Sequence, residues 1–248
     1  MNTQPLVYLD HAASTPVRPE AVEAMLPYLT DSFGNPSGAH AMARAARDAI
    51  DDVRVVMAEV LGCRPGEIVF TSGGTESDNT AVFGFADRGT VACSAIEHHA
   101  VLDPVHRVGG RVVGVRADGV IDLDALASKL DDTVTLVSVM LANNEIGTVQ
   151  PLAEVAEVVR GRAPRAVLHT DAVQAFPWLD VASSASPADL ISISAHKFGG
   201  PKGVGVLVVR DGINPTSRQV GGGQERERRS GTQNVAGIVA MGVAARLT

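Results

Sequence analysis

Residues 189–203 of this 248-residue chain have the sequence DLISISAHKFGGPKG. The apolar, partly β-branched run at its start predicts a buried strand over residues 189–194. The glycine-rich turn after that run predicts a hairpin with a second strand over residues 204–210. Lys197 follows the end of the first strand. A lysine in this position is suited to act as a reactive amine and not as a solvated surface charge. If the protein forms a Schiff base, we expect Lys197 to supply the amine.

Helices and strands alternate along the rest of the chain. We predict helices over residues 19–29, 39–61, 76–86, 100–108, 123–130, 152–160 and 233–246. We predict further strands over residues 67–71, 89–94, 111–115, 134–140 and 166–171. This alternation is typical of an α/β domain with a mostly parallel sheet, and the hairpin makes the predicted sheet mixed.

The composition argues against several classes of protein. A net charge of −7 without a basic stripe argues against nucleic acid as a partner. The two cysteines, Cys63 and Cys93, form no disulfide framework and lack metal-ligand spacing, so we expect no metal site. No apolar stretch is long enough to cross a bilayer, and the N-terminus lacks the pattern of a secretory signal. We therefore expect a cytoplasmic protein without a membrane partner.

Residues 71–79, TSGGTESDN, follow a predicted strand and open a predicted helix. Backbone N–H groups at a helix start, with glycines and a threonine hydroxyl beside them, form a natural phosphate site. The alternative is a glycine turn in which a threonine or serine caps the helix. The motif alone supports both interpretations about equally. It is not a Walker loop, because no lysine follows the glycines.

Asp171 and Gln174 follow another apolar strand and stand three residues apart. Both can face the crevice at the carboxyl ends of the strands, where open α/β sheets bind ligands. Asp171 could instead cap a following helix, which is the commoner role of an aspartate in such a position. A buried carboxylate needs a cationic partner, and the protonated nitrogen of a pyridine ring is one such partner.

Three further motifs leave alternatives open. His98, in Glu97-His98-His99, could stack on a heteroaromatic ring or move protons, or be part of a surface pair or a metal site. Adjacent histidines point apart on a helix, which argues against a shared metal. The pair Asn143-Asn144 forms either a turn or an amide contact to a ligand. The glycine-rich loop over residues 221–232 could be no more than a flexible loop with an N-cap.

Each motif is a modest signal by itself, but together the motifs supply four parts of one site. These parts are a phosphate cradle, a histidine for the face of a ring, a carboxylate for a pyridine nitrogen and a lysine for an aldehyde. The set describes a site for pyridoxal 5′-phosphate.

The same motifs resemble those of the cysteine desulfurases of iron–sulfur assembly, in the fold-type I family of pyridoxal-phosphate enzymes. The resemblance covers nearly the whole chain and includes residues 8–13, 34–37, 71–79, 97–98, 143–147, 171–174, 194–203 and 229–234. It implies an α/β fold, the large domain of a fold-type I transferase, with a mostly parallel mixed sheet flanked by helices. That domain would span residues 1–248, with residues 1–15 as an N-terminal segment and residues 233–248 as the start of a helix that leads to a small domain.

The resemblance also implies roles for individual residues. Lys197 would hold the cofactor covalently, and His98 would stack on its ring and assist proton transfer. The other implied contacts are Asp171 at the ring nitrogen, Gln174 at the ring hydroxyl, Gly74, Thr75, Ser194 and His196 at the phosphate, and Asn144 beside the substrate carboxylate. Thr232 would reach the phosphate bound by a neighbouring subunit, so a homodimer is expected.

The implied activity converts L-cysteine to L-alanine and passes the sulfur, as a persulfide, to an acceptor or iron–sulfur scaffold protein. In the family, the cysteine that takes the sulfur and the arginine that binds the substrate carboxylate would lie beyond Thr248, in the small domain. Cys63 and Cys93 lack the mobile surroundings of such a cysteine. Two alternatives remain: another pyridoxal-phosphate lyase or transaminase on the same fold, and a non-catalytic partner subunit. The intact cofactor motifs argue against the second.

Overall fold

The computed structural model of the protein describes residues 7–248, so residues 1–6 of the predicted N-terminal segment lie outside the described residues. One seven-stranded sheet forms the centre of the described fold. Its strands are β1 (Ile68–Thr71), β2 (Thr90–Ser94), β3 (Arg111–Val113), β4 (Val134–Ser138), β5 (Val167–Asp171), β6 (Leu190–Ser194) and β7 (Gly205–Val209). Every residue of β1, β5, β6 and β7 is buried, because helices cover both faces of the sheet.

The spatial order of the strands is β1-β7-β6-β5-β4-β2-β3. Strand β7 pairs antiparallel with both of its neighbours, and the other adjacent pairs are parallel. The predicted hairpin is confirmed, since Ser194 of β6 pairs with Gly205 of β7. The prediction of a mixed, mostly parallel sheet is confirmed as well. As a result, the ends of β1, β2, β4, β5 and β6 and the start of β7 all lie at one edge of the sheet.

The helices are α1 (Pro19–Met25), α2 (Ala41–Val60), α3 (Gly74–Ala86), α4 (His99–Arg107), α5 (Leu123–Lys129), α6 (Leu152–Arg162), α7 (Val181–Ser184) and α8 (Val235–Arg246). Helices α3 and α4 pack on one face of the sheet through Phe85 and Val101. Helices α2, α6 and α8 cover the other face through side chains such as Met57 and Met241. Within residues 7–248, no helix combines the length and the apolar character that crossing a membrane requires.

The structure corrects several of the predicted elements. The helix predicted over residues 19–29 is α1 followed by a 3-10 turn, where Pro27 lacks the N–H that an α-helix needs. The strand predicted over residues 111–115 ends at Val113. Helix α7 has no counterpart in the prediction, because its four residues are too few to show a helical period.

Candidate active site

A cavity of about 800 Å³ opens at the edge where the strands end. Nine of the ten predicted site residues line it: Gly74, Thr75, His98, Asn144, Asp171, Gln174, Ser194, His196 and Lys197. They lie at or shortly after the ends of five strands, β1, β2, β4, β5 and β6, so the sheet topology alone brings together residues that are far apart in the chain. The tenth, Thr232, is exposed and is not part of the cavity wall of its own chain.

Lys197 lies at the end of a 3-10 turn, Ala195–Lys197, directly after β6. Its Nζ donates a hydrogen bond to the carbonyl oxygen of Ala12. The N-terminal segment also holds the turn, since the Thr15 hydroxyl donates to the His196 carbonyl at 2.9 Å and accepts from the Gly199 N–H at 2.8 Å. Burial lowers the pKa of Lys197, against the opposing effect of nearby carboxylates. A lowered pKa favours the uncharged amine, which is the nucleophilic form.

Asp171 ends β5 at the floor of the cavity. Its Oδ1 accepts the Val173 N–H at 2.8 Å, and the chain continues in turns, so the alternative role as a helix cap is wrong. Burial raises the pKa of Asp171, and the hydrogen bond from the Val173 N–H and the charge of Lys197 oppose this rise. Asp171 forms no ion pair within residues 7–248. The floor therefore offers a buried carboxylate to a ligand that carries a positive charge.

Gln174 also faces the cavity, three residues after Asp171. Its Oε1 atom is buried and has no hydrogen-bond partner in the described structure. Buried acceptors of this kind are rare in folded proteins because a lost hydrogen bond is unfavourable. A bound donor, such as the hydroxyl group of a pyridine ring, would satisfy this oxygen.

Helix α3 points its N-terminus into the cavity at Gly74. The N-cap residue is Gly73, at φ 146°, a backbone conformation that L side chains rarely adopt. No side chain caps the helix, so the alternative of a threonine or serine N-cap is wrong. The first-turn N–H groups lack partners within the helix and remain available to an anion, beside Ser194 and His196.

His98 caps α4, with its Nδ1 accepting the Ala100 N–H at 3.1 Å. This bond assigns the ring proton to Nε2 and orients the imidazole at the cavity wall. His99 points away and contacts Asp103 at 3.4 Å, as predicted for neighbouring histidines. No group of three or more metal-ligating side chains occurs in the described part of the chain.

One interpretation of the asparagine pair, the turn, is confirmed for Asn143. The Asn143 Oδ1 accepts the N–H groups of Glu145 and Ile146 at 2.9 and 3.0 Å and so forms a turn. Asn144 is left to line the cavity.

Two buried carboxylic acids beside the site are absent from the predicted set. Asp78, on α3, lines the cavity, and its Oδ1 has no hydrogen-bond partner in residues 7–248. Burial and the neighbouring Asp171 raise its pKa well above the ordinary value. Burial raises the pKa of Glu97 to about 8, although Met140 and Ser94 donate hydrogen bonds to it at 2.7 Å.

The sequence does carry a signal for Asp78. Residues 78, 81, 82 and 85 share one face of a helix, and the last three are Ala81, Val82 and Phe85. An aspartate on an otherwise apolar face is an anomaly that points to a special environment. No comparable signal exists for Glu97, because its burial depends on residues that are distant in the chain.

His169 lies next to this acidic group, fully buried on β5. Its two ring nitrogens contact the hydroxyl groups of Ser138 at 2.8 Å and Ser192 at 2.9 Å. Burial lowers its pKa to about 3, so the imidazole is neutral and supplies no positive charge to the carboxylates.

The two cysteines lie away from the cavity wall. Burial raises the pKa of Cys63 to about 11, and it also raises the pKa of Cys93, which is inside β2. Both side chains therefore remain thiols at neutral pH, whereas a sulfur nucleophile must be a thiolate.

A family model described as Aminotransferase class-V matches residues 7–248. The chain belongs to the class-V aminotransferase family. The cofactor of this family is pyridoxal 5′-phosphate, which confirms the cofactor predicted from the sequence. The class-V site of this chain also fits that cofactor, since it presents an unpaired amide oxygen, a buried carboxylate and an open helix N-terminus to one cavity.

Among curated proteins, the chain is similar to the cysteine desulfurase IscS of Methanosarcina thermophila, with 44% identity over 97% of this chain and 62% of the relative. It is also similar to an IscS-like cysteine desulfurase of Mycobacterium tuberculosis, with 43% identity over 98% of this chain and 65% of the relative. The chain therefore spans less than two thirds of the length of these curated relatives.

Two solved structures extend the similarity to the fold. A NifS-like protein matches with a TM-score of 0.91 and 39% identity over 97% of this chain and 69% of that protein. The structure "SspA in complex with cysteine" matches with a TM-score of 0.91 and 38% identity over 97% of this chain and 72% of that protein. The resemblance to cysteine desulfurases and the predicted fold class are thereby confirmed.

Proposed function

We propose that residues 1–248 are the cofactor-binding large domain of a cysteine desulfurase, which converts L-cysteine to L-alanine and passes on the sulfur. The observation that carries the proposal is the position of Lys197 in the same cavity as the buried Asp171. The similarity to proteins named cysteine desulfurase selects this activity among those of the class-V family.

Each part of the cavity wall matches one part of the cofactor. Lys197 would bind the aldehyde, Asp171 would hold the proton on the ring nitrogen, and Gln174 would accept from the ring hydroxyl. The remaining contacts are His98 at the ring face, Gly74, Thr75, Ser194 and His196 at the phosphate, and Asn144 beside the substrate carboxylate. The bound cofactor supplies an electron sink that lowers the barrier to bond breaking at the substrate.

The residues of this chain would then move protons and exclude water. The Lys197 amine, whose lowered pKa favours its uncharged form, would take and return a proton, and the His98 imidazole on the cavity wall would assist this transfer. In the overall reaction, the carbon–sulfur bond of cysteine breaks and an acceptor thiolate bonds to the sulfur. The carbon that loses sulfur gains a proton, so the products are alanine and a persulfide.

The proposed partners follow from the same observations. The SspA structure contains cysteine, which supports L-cysteine as the substrate. Because Cys63 is half-buried, Cys93 is buried and burial raises the pKa of both thiols, a different cysteine would take the sulfur before it goes to an acceptor or iron–sulfur scaffold protein. The exposed Thr232 would serve a second copy of the chain, in a homodimer.

The first test is titration of the purified protein with pyridoxal phosphate, followed by visible absorbance. We expect a new band above the absorbance of the aromatic residues, its loss in Lys197→Ala, and its retention in the matched control Lys129→Ala, which alters an exposed lysine on α5. A band that persists unchanged in Lys197→Ala would contradict the proposal.

The second test compares substrates in the presence of an added thiol as sulfur acceptor. Alanine release should be fastest from L-cysteine, and slower from a cysteine sulfoxide. If selenocysteine or another amino acid is preferred, the protein is a different lyase or transaminase of the same fold. If the band forms but addition of L-cysteine leaves its spectrum unchanged, the substrate assigned to the site is wrong.

A further inference from the structure

The glycine-rich loop before α8 contains three consecutive residues in the left-handed backbone region. Glu225, Arg226 and Glu227 have φ values of 47°, 57° and 65°, and none of them is a glycine. Such a run is unfavourable and persists only where the surroundings hold it in place. Strained segments of this kind concentrate at functional sites.

The turn is held by a buried carboxylate. The two oxygens of Glu225 accept hydrogen bonds from the Arg54 guanidinium, both at 3.0 Å, and the Phe70 N–H donates to the same carboxylate at 3.0 Å. Arg54 also lies 4.7 Å from the centre of the Phe70 ring. The loop is thereby fixed to α2 and to β1, the strand that leads into the helix start at Gly74.

The fixed loop positions Arg229 so that it pairs with Glu76, which lies 153 residues earlier in the chain. The guanidinium donates to both carboxylate oxygens, at 2.8 and 3.2 Å. The Ser72 N–H donates to the same carboxylate at 2.8 Å. Only about a fifth of each charged side chain is exposed, 20% for Arg229 and 21% for Glu76.

Glu76 places a negative charge beside the candidate anion site. It lies in the first turn of α3 and lines the cavity beside Gly74 and Thr75, where the helix N-terminus would hold an anion. Burial opposes its ionisation, but the hydrogen bonds from Arg229 and Ser72 outweigh burial and lower its pKa. Glu76 is therefore negative at neutral pH and, without a partner, would repel a phosphate group.

We propose that Arg229 is a positioning residue of the phosphate cradle, which cancels the charge of Glu76 and turns its carboxylate away from the anion. The Glu225–Arg54 pair and the left-handed turn hold the loop that carries Arg229. The inference rests on the proposed function, because the anion at α3 is taken to be the phosphate of the cofactor.

The experiment is a charge-rescue cycle with Arg229→Gln, Glu76→Gln and the double variant. Dissociation constants are measured for pyridoxal phosphate by absorbance and for inorganic phosphate by competition. We expect Arg229→Gln to weaken both by about tenfold, the size of one unscreened charge contact at the edge of a cavity. The double variant should return to within about threefold of wild type, because the repelling charge is then absent.

Further variants separate a charge effect from a loss of folding. The control is Arg116→Gln, which breaks an exposed arginine–carboxylate pair with Asp118 at 3.0 Å, away from the cavity, and should change neither constant. Arg229→Lys keeps the charge and should weaken binding less than Arg229→Gln. The deficit of Arg229→Gln should also shrink as the pH falls and Glu76 takes up a proton.

The outcomes distinguish this inference from the proposed function. Equal affinity in wild type and Arg229→Gln overturns the inference, and so does a double variant that folds but stays as weak as Arg229→Gln. If Arg229→Gln does not fold, the test uses Arg229→Lys instead. The inference is then overturned if Arg229→Lys weakens binding and the added substitution Glu76→Gln does not restore it. A protein that binds phosphate with the expected cycle but forms no band with pyridoxal phosphate overturns the proposed function and leaves the charge effect of Arg229 established.

Discussion

Two glutamates at opposite edges of the sheet are both nearly inaccessible to solvent but have opposite acidities. Glu67 precedes β1 and is 7% exposed, whereas Glu97 follows β2 and is 6% exposed. Burial raises the pKa of both, but at Glu67 the hydrogen bonds and charge of Arg64, with the Asp211 N–H, bring the pKa down to about 2. Glu97 lies deeper, no arginine or lysine within residues 7–248 pairs with it, and Asp171 repels its charge, so burial raises its pKa to about 8.

The difference shows at which edge of the sheet the buried carboxylates already have cationic partners within the protein. At the amino edge, Arg64 and Arg210 pair with Glu67, so the charges are balanced within the chain. At the carboxyl edge, Asp171 and Glu97 have no arginine or lysine ion pair within the described residues. Uncompensated buried acids lower stability, and they are kept where a ligand supplies the missing charge.

The largest expected effect is that of Asp171→Asn. The amide keeps the acceptor for the Val173 N–H but loses the charge that would hold a proton on the ring nitrogen. Alanine release from L-cysteine should fall by at least about 100-fold, the lower end for a positioned acid–base partner. The cofactor-free variant should be no less stable than wild type in thermal unfolding, because a buried carboxylate without a cation is removed.

A cofactor-free Asp171→Asn protein that unfolds several degrees earlier than wild type would break the comparison. It would mean that the Asp171 carboxylate stabilises the fold, as the Glu67 carboxylate does at the amino edge.

Glu67→Gln should have the next largest effect, and on stability alone. The substitution removes the charge from an acceptor of bonds from Arg64, Arg210 and Asp211, so the free energy of unfolding should fall by about 2 kcal/mol. Since the folded pKa lies below the ordinary 4.5, this contribution is present above pH 4.5 and is lost as the pH falls towards 2. Urea unfolding at several pH values measures it.

The dissociation constant for pyridoxal phosphate serves as the control for Glu67→Gln, since this residue lies outside the cavity wall. Weaker cofactor binding in this variant would mean that the two edges are coupled.

Glu97→Gln should have the smallest effect and the opposite sign. Because the folded pKa of Glu97, about 8, lies above the ordinary 4.5, the wild-type protein loses stability as the pH rises through this window. The glutamine variant cannot ionise, so it should avoid this loss and become the more stable protein near pH 8. Thermal unfolding across pH 5–9 tests this, and a variant less stable than wild type throughout would contradict an uncompensated Glu97.

Much of the site could be predicted because it follows from the order of residues along the strands. Lys197, Asp171 and His98 each come shortly after an apolar run, and parallel strands bring such positions to one edge. The alternatives left open at residues 71–79 and at Asn143-Asn144 needed coordinates, because a backbone angle or a turn hydrogen bond decides between them.

Other features could not be predicted, since they depend on contacts between distant parts of the chain. Arg229 meets Glu76 only because a strained turn at Glu225 is held by Arg54 on α2. Thr232 remains outside the cavity of its own chain, and its implied role towards a second subunit stays a prediction.

The sequence by itself determined the α/β class, the hairpin after Ser194 and the residue types at the strand ends, because these follow from local periodicity and from the chemistry of single side chains. Only the tertiary structure decided which acids are charged. The acidity of Glu67 and Glu97 depends on the presence or absence of a cation a few ångströms away, and no local pattern records that distance.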